Sequence, residues 1–219
     1  MSSVIRPRFP SLYPILDFAC VFPHGAPDPR SRRSRLRALA AELGAAGVAI
    51  LQYRNKLDAD VLLAQDCLAI REAAPQMKLI LNDRPALVAA AGWDGVHVGQ
   101  DDLSAADARA LLGSKAIVGL STHTDEQVRL ADREPVDYIA VGPVFRTLSK
   151  SDTSPIIGLE GVERARALTN KPLVAIGGIT LENAASVYDA GADSLAVISA
   201  IFSADRDPSR AAEQFLRIL

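Results

Sequence analysis

Cysteine is scarce in this sequence, and its scarcity excludes two classes of protein. Only Cys20 and Cys67 occur among the 219 residues, and they are far apart in the chain. Two isolated cysteines form neither a cysteine-rich metal site nor the framework of a small disulfide-stabilised secreted domain. We therefore expect two free thiols that act as small apolar packing residues.

An excess of charge of either sign is also absent. The chain has 24 Lys and Arg residues against 26 Asp and Glu residues, and its formal net charge is −2. This balance carries no general signature of nucleic-acid binding. One basic cluster, RSRRSRLR at residues 30–37, lacks interleaved aromatic residues and precedes an Ala/Leu-rich helical pattern. We interpret the cluster as the solvated first turns of a helix.

Long apolar segments are missing as well. No window approaches the roughly 20 apolar residues that cross a bilayer, and the N-terminal stretch MSSVIRPRFP has no apolar signal core. These absences predict a cytoplasmic protein that has neither a nucleic-acid partner nor a membrane partner.

Short apolar runs alternate with helical patterns along the whole chain. Several runs are continuously apolar, as is typical of strands that are covered on both faces. About eight strand–helix units in a chain of this length predict an α/β fold of the (β/α)8 TIM-barrel type. We expect one domain over residues 1–219, with residues 1–10 as an N-terminal extension. An open doubly wound sheet is the alternative, but no G-x-G-x-x-G turn follows the first strand. The runs read SLYPILD, VAILQYR, KLILND, GVHVGQ, AIVGLST, YIAVGPVF, PLVAIGG and SLAVISA.

The boundaries of the helical patterns carry their own signals. The predicted N-caps are Ser104, Thr124 and Thr180. The predicted helix stops are Gly47, Gly92, Gly113 and Gly191.

Polar side chains follow nearly every apolar run. The carboxyl ends of the strands form the active-site face of a (β/α)8 barrel, so we expect these side chains to meet there. Arg54, Lys56 and Lys150 are cations suited to phosphate oxygens. Asp83 and Asp102 follow adjacent strands and could share a Mg²⁺ ion, which takes one or two carboxylates together with phosphate oxygens. Together these residues favour a complex of diphosphate with Mg²⁺.

A second anion site is indicated after the seventh and eighth runs. Gly177 and Gly178 allow backbone N–H groups to approach a ligand closely, and Thr180 and Ser199 lie near them in the predicted barrel. Barrels often bind phosphate at this position. The sequence therefore predicts two phosphorylated ligands.

The segments at these strand ends, taken in order, resemble the thiamine phosphate synthase family. They are QYRNK, LNDR, DGVHVGQDD, VGLSTHT, DYIAVGPVFRTLSK, LVAIGGIT and AVISAIF, from about residue 48 to residue 202. The resemblance implies a Mg²⁺-assisted transferase that joins 4-amino-2-methyl-5-pyrimidinylmethyl diphosphate to a thiazole ethyl phosphate. The implied products are thiamine phosphate and diphosphate, with CO₂ from a carboxylated thiazole. A homo-oligomer is compatible with this interpretation.

The resemblance also implies a role for each matching position. The pyrimidine diphosphate would contact Gln52, Tyr53, Arg54, Asn55, Lys56, Asn82, Ser121 and Lys150. Of these, Arg54, Lys56, Ser121 and Lys150 would assist catalysis. The metal ligands would be Asp83 and Asp102. The thiazole phosphate or carboxylate would contact Thr147, Leu148 and Ser149, and its phosphate site would be completed by Gly178, Ile198 and Ser199.

Two other functions are compatible with the same barrel. One is a thiazole tautomerase-like paralogue that uses an acid/base histidine near His123, and the other is a non-catalytic sensor of phosphorylated ligands. The sequence leaves open whether His123 takes part in chemistry. His97 alternates with Val96 and Val98, and this spacing predicts a histidine inside the barrel. The first run departs from the family pattern because Pro14 removes a backbone donor from the strand.

Overall fold

Eight parallel strands form a closed barrel in the computed structural model, which describes residues 9–25, 28–147 and 155–219. Each strand pairs with its neighbours in sequence, and β8 pairs with β1 to close the barrel. This topology confirms the predicted (β/α)8 fold. The strands are β1 (Leu12–Asp17), β2 (Ile50–Arg54), β3 (Lys78–Asn82), β4 (Gly95–Val98), β5 (Ile117–Thr122), β6 (Tyr138–Val141), β7 (Leu173–Ile176) and β8 (Ser194–Val197).

Helices surround the barrel and cover the outer face of its strands. The helices within the described residues are α1 (Phe18–Val21), α2 (Pro29–Ala45), α3 (Asp60–Ala73), α4 (Pro85–Ala90), α5 (Ala105–Leu112), α6 (Asp125–Arg133), α7 (Gly158–Leu168), α8 (Ala184–Asp189), α9 (Ser199–Phe202) and α10 (Pro208–Ile218). None of these helices is long and apolar enough to span a membrane.

The strands are apolar throughout because both of their faces are buried. In β2, Ile50 belongs to the cluster that fills the lumen, whereas Leu51 and Tyr53 belong to the layer between strands and helices. Successive side chains of a strand point to opposite faces, so one strand supplies both cores. This alternation decides which residue of each strand can reach the lumen and the rim.

The first strand tolerates its proline. Leu12 to Pro14 pair with β8, and Ile15 to Asp17 pair with β2, so that all six residues of β1 are buried. Phe9, which falls in the predicted N-terminal extension, packs against Tyr13 and Tyr138, near the amino-terminal ends of β1 and β6.

Most of the predicted helix boundaries are confirmed. Ser104 accepts a hydrogen bond from the backbone of Asp107, and Thr124 accepts one from Gln127. All four predicted stop glycines have positive φ angles. Thr180 is not an N-cap, because α8 begins only after Asn183, whose side chain accepts from the Thr180 N–H. Both cysteines are free thiols, as expected.

Candidate active site at the carboxyl ends of the strands

Two carboxylates and a lysine meet at the ends of β2, β3 and β4. Asp83 follows β3 directly, and its side chain is hydrogen-bonded to that of Asp102 in the loop after β4. Lys56 Nζ lies 3.1 Å from Asp83 Oδ2. Asp83 has a φ of 61°, a left-handed conformation that is uncommon for a residue with a side chain and that clusters at functional sites. The predicted metal ligands are thus in contact, although they are separated in sequence.

The two carboxyl groups differ in acidity because of their surroundings. Burial raises the pKa of Asp83, and the hydrogen bond with Asp102 raises it further, while Lys56 opposes the shift. Burial alone would also raise the pKa of Asp102, but hydrogen bonds from Asp83 and from the Gly99 N–H lower it. The two carboxyl groups therefore titrate as a pair, with the pKa of Asp83 above its ordinary value and that of Asp102 below it.

The segment QYRNK is divided between the inside and the outside of the barrel. Gln52 is buried in the lumen, where its Nε2 donates to Tyr13 Oη at 3.1 Å. Arg54 lies at the rim and forms an ion pair with the buried carboxylate of Asp17. The same carboxylate accepts a hydrogen bond from the Cys20 N–H at 3.1 Å. Arg54 is therefore held in place from β1.

Tyr53 and Asn55 do not present their side chains to the rim. The Tyr53 ring is fully buried between barrel and helices, and its hydroxyl donates to Asp66 Oδ2 at 2.6 Å. Asn55 Nδ2 donates to Asp58 Oδ2 at 2.8 Å, and its Oδ1 accepts from the Leu57 N–H at 3.0 Å. The Tyr53 side chain therefore points outward, and Asn55 shapes the loop that carries Lys56, so the substrate contacts of these two residues stay predictions.

Arg32 completes this cluster outside the barrel. Its Nε lies 2.9 Å and 3.0 Å from the two oxygens of Asp66, and its NH1 lies 2.8 Å from Asp58 Oδ2. The guanidinium also stacks 4.3 Å above the Phe18 ring. Arg32 is buried, so the interpretation of residues 30–37 as solvated is wrong for this residue. A basic pattern alone cannot reveal that a carboxylate on another helix faces one of its members.

Ser121 and Asn82 occupy the inner side of the rim. Ser121 lies in β5, with its Oγ 2.7 Å from His97 Nε2. Asn82 ends β3 and pairs in register with His97 of β4. His97 is buried inside the barrel, and its Nδ1 lies 2.9 Å from Tyr138 Oη. The prediction of an interior histidine is confirmed.

A cavity of about 790 Å³ opens at the carboxyl ends of β5 to β8 and β1. Gly177 and Gly178 form a tight turn that lines the cavity, with φ angles of 105° and 64°. A Cβ atom on Gly178 would lie 2.6 Å from the carbonyl oxygen of Arg146, and one on Gly177 would lie 2.7 Å from Pro143 Cα. Both positions therefore require glycine, for the backbone angle and for the close approach of the preceding loop.

The cavity collects one group of the predicted residues. Its lining includes Ser121, Thr147, Gly178, Ile198 and Ser199. Lys56, Asp83 and Asp102 form the separate group described above, on the opposite part of the rim. Leu148, Ser149 and Lys150 lie outside the described residues.

Several lining residues were not predicted. Asp17 faces the cavity and forms the ion pair with Arg54 described above. The sequence contains a signal for Asp17, because this residue ends the first apolar run just as Asp83 follows the third. Arg146 and Arg206 also line the cavity, and their positions in irregular loops carry no pattern that would have identified them. His123, whose part in the chemistry the sequence leaves open, lines the cavity as well, with its Nδ1 2.7 Å from the Gly142 carbonyl oxygen.

The sequence comparisons and one solved structure point to the same family. The sequence profile described as thiamine monophosphate synthase matches residues 26–201. The thiamine-phosphate synthase of Koribacter versatilis (strain Ellin345) is 48% identical over 213 residues, which are 97% of each chain. That of Chloroflexus aurantiacus is 42% identical over 84% of this chain and 85% of its own. The solved thiamine phosphate pyrophosphorylase from Pyrococcus furiosus superposes with a TM-score of 0.78 and 30% identity, over 95% of this chain and 94% of its own.

Proposed function

This chain belongs to the thiamine monophosphate synthase family and is a transferase that makes thiamine phosphate, and we propose from this premise that its rim holds two phosphorylated substrates side by side. The pyrimidine diphosphate binds over β2 to β5, with Gln52, Arg54, Lys56, Asn82 and Ser121. The thiazole phosphate binds in the 790 Å³ cavity, with Thr147, Gly178, Ile198 and Ser199. Ser121 belongs to both regions, which is where the reacting atoms must meet.

Asp83 and Asp102 fit the proposed Mg²⁺ ion. Their carboxyl groups are already in contact, and two adjoining carboxylates repel each other unless a cation or a proton lies between them. Two carboxylates with phosphate oxygens and water are a donor set that Mg²⁺ accepts. When bound, the ion would neutralise charge on the leaving diphosphate.

The residues of the chain supply position and fixed charge for the reaction. Arg54 and Lys56 carry positive charge at the rim, where it stabilises the departing diphosphate most as the C–O bond breaks. Asp17 and Asp83 hold these two cations in place before the substrate arrives. The thiazole nitrogen then attacks the pyrimidine methylene carbon, and its alignment in the cavity replaces a protein nucleophile. The roles of Leu148, Ser149 and Lys150 stay predictions from the resemblance. A cytoplasmic location and a homo-oligomer also stay predictions.

The observation that carries this proposal is the cluster of Lys56, Asp83 and Asp102. An isomerase acting on a thiazole monophosphate needs no two-carboxylate site beside a lysine, and a ligand sensor needs no preorganised charge at a leaving group. The cluster supports the coupling reaction over both alternatives.

The decisive experiment supplies the purified protein with both heterocycles and Mg²⁺ and measures thiamine phosphate. We expect product only when both substrates are present, and none after EDTA treatment. Rearranged thiazole carboxylate without coupled product would indicate the tautomerase, and ligand binding without any turnover would indicate the sensor.

A pair of lysine variants tests the placement of the diphosphate. Lys56 and Lys78 are similarly exposed, at 52% and 59%, and each pairs with an aspartate. Lys78 begins β3, at the end of the barrel opposite the rim. We expect Lys56→Ala to lower kcat/KM for the pyrimidine diphosphate by about 100-fold, and Lys78→Ala to leave it unchanged. Equal losses in both variants would contradict the placement.

A further inference from the structure

A chain of hydrogen bonds crosses the lumen of the barrel and ends at the substrate site. Gln52 Nε2 donates to Tyr13 Oη at 3.1 Å, and Tyr13 Oη lies 2.9 Å from Tyr138 Oη. Tyr138 Oη lies 2.9 Å from His97 Nδ1, and His97 Nε2 lies 2.7 Å from Ser121 Oγ. The chain joins β2, β1, β6, β4 and β5. Its two ends, Gln52 and Ser121, are both proposed contacts of the pyrimidine.

The lumen is built to hold this chain. The rings of His97 and Tyr138 are stacked, with centroids 5.5 Å apart and planes inclined by 20°. Tyr138 lies against Gly119, where a Cβ atom would come within 2.0 Å of the ring. Any larger residue at position 119 would displace the phenol, so the glycine gives the ring its place in the lumen.

The direction of each bond follows from the first donor. An amide N–H can only donate, so the Tyr13 oxygen accepts from Gln52 and the Tyr13 hydrogen is directed to Tyr138. The Tyr138 hydrogen is then directed to His97 Nδ1. Burial raises the pKa of both phenols well above their ordinary value, so both hydrogens are present at neutral pH.

The same direction continues to the rim. When Nδ1 of a neutral imidazole accepts a hydrogen bond, its proton is on Nε2. His97 Nε2 therefore donates to Ser121 Oγ. The serine oxygen has accepted a bond, and its own hydrogen can be given to a ligand in the cavity that Ser121 lines.

We propose that the lumen chain makes Ser121 a hydrogen-bond donor to the substrate and thereby selects a heterocycle with a ring-nitrogen acceptor at that position. Tyr13, Tyr138 and His97 are positioning residues that act through Ser121. The far end has the complementary polarity, because Gln52 uses its N–H on Tyr13 and keeps its carbonyl oxygen as an acceptor. An aminopyrimidine, with ring nitrogens as acceptors and an amino group as donor, matches this arrangement. The inference rests on the proposed function.

Removing one phenol hydroxyl breaks the chain with little change in shape. In Tyr138→Phe, His97 loses its partner at Nδ1 and can carry its proton there, which leaves Nε2 as an acceptor for the Ser121 hydrogen. Ser121 then no longer donates to the substrate. We expect kcat/KM for the pyrimidine diphosphate to fall about tenfold, the equivalent of one hydrogen bond, with an unchanged KM for the thiazole phosphate.

A double-mutant cycle separates positioning from a structural role. Once Ser121→Ala has removed the serine hydroxyl, adding Tyr138→Phe should lower kcat/KM no further, because the chain has lost its end. Thr122→Val is the control. Thr122 is also buried in β5, but its hydroxyl donates to the Ala140 carbonyl oxygen, which is not part of the lumen hydrogen-bond chain. The fold-change in kcat/KM caused by Thr122→Val should therefore multiply with the fold-change caused by Ser121→Ala.

Two pyridine analogues of the substrate, each lacking one ring nitrogen, provide a second measurement. With the unaltered protein, one of the two analogues should have a lower kcat/KM than the pyrimidine substrate. With Tyr138→Phe, that analogue and the pyrimidine substrate should have the same kcat/KM. Multiplying effects of Tyr138→Phe and Ser121→Ala, or equal sensitivity of both proteins to both analogues, would overturn the inference. Absence of any thiamine phosphate with the unaltered protein would instead overturn the proposed function, so the two failures are distinguishable.

Discussion

The buried ion pair between α2 and α3 allows a quantitative prediction of stability. The side chains of Arg32 and Asp66 are 5% and 1% exposed. Replacing Arg32 by Met leaves the Asp66 carboxylate buried with Tyr53 as its remaining partner among the described contacts. Removing one partner of a buried pair costs about 3–5 kcal/mol, because the other charge stays desolvated.

The same two helices carry an exposed pair that serves as a matched control. Arg37 and Glu72 also connect α2 to α3, but their side chains are 50% and 58% exposed. Exposed pairs contribute about 0–1 kcal/mol, because water screens the charges. We therefore expect Glu72→Gln to have little effect on stability.

Thermal and urea unfolding, followed by circular dichroism, measure both variants. For a chain of this size, 1 kcal/mol shifts Tm by about 2–4 °C. Arg32→Met should therefore lower Tm by about 6–20 °C, and Glu72→Gln by less than about 4 °C. The double variant Arg32→Met/Asp66→Leu should recover most of the loss, because neither charge then remains buried.

Two results would refute this reasoning. Similar losses for Arg32→Met and Glu72→Gln would mean that burial does not set the size of the effect. A double variant as unstable as Arg32→Met alone would mean that the uncompensated carboxylate is not the cause.

Three further predictions concern the rim. Asp102→Asn should lower kcat/KM by about 100-fold at a fixed Mg²⁺ concentration without lowering Tm, and normal turnover in a Mg²⁺ titration would refute the metal assignment. Gly178→Ala should raise KM for the thiazole phosphate about tenfold, whereas Gly92→Ala, which has the same φ of 64° but no atom within 4 Å of the added Cβ, should leave it unchanged. The pKa of Asp83 is raised by burial, so its proton competes with Mg²⁺ at pH values where a free aspartate is ionised. Calorimetry with Mg²⁺ alone should therefore show affinity that falls as the pH is lowered and that begins to fall above the ordinary aspartate pKa, and a flat profile would contradict this.

The strand ends were predictable because their signal is local. Residues that follow an apolar run in a (β/α)8 barrel lie on one face, so the sequence alone predicts that Asp83 and Asp102 meet. Asp17 ends β1 in an equivalent position and carries the same local signal. Turn glycines such as Gly178 were recognisable for the same local reason.

Side-chain direction within a segment was less predictable. QYRNK has the composition of a ligand-binding segment throughout, yet the alternation of β2 turns Tyr53 outward, and the loop geometry turns Asn55 toward Asp58. The lumen chain was not predictable at all, because its members lie on five different strands. Only the closed barrel brings Tyr13 within hydrogen-bonding distance of Tyr138.

The sequence by itself determined the fold class and the residues available at the rim, because periodicity and strand ends are properties of short segments. The tertiary structure alone decided which partner each of those residues has. Arg32 became a buried ion-pair partner instead of a solvated charge, and His97 became part of a chain ending at Ser121. The physical reason is that burial and hydrogen-bond direction depend on groups from distant segments, and these groups meet only when the barrel closes.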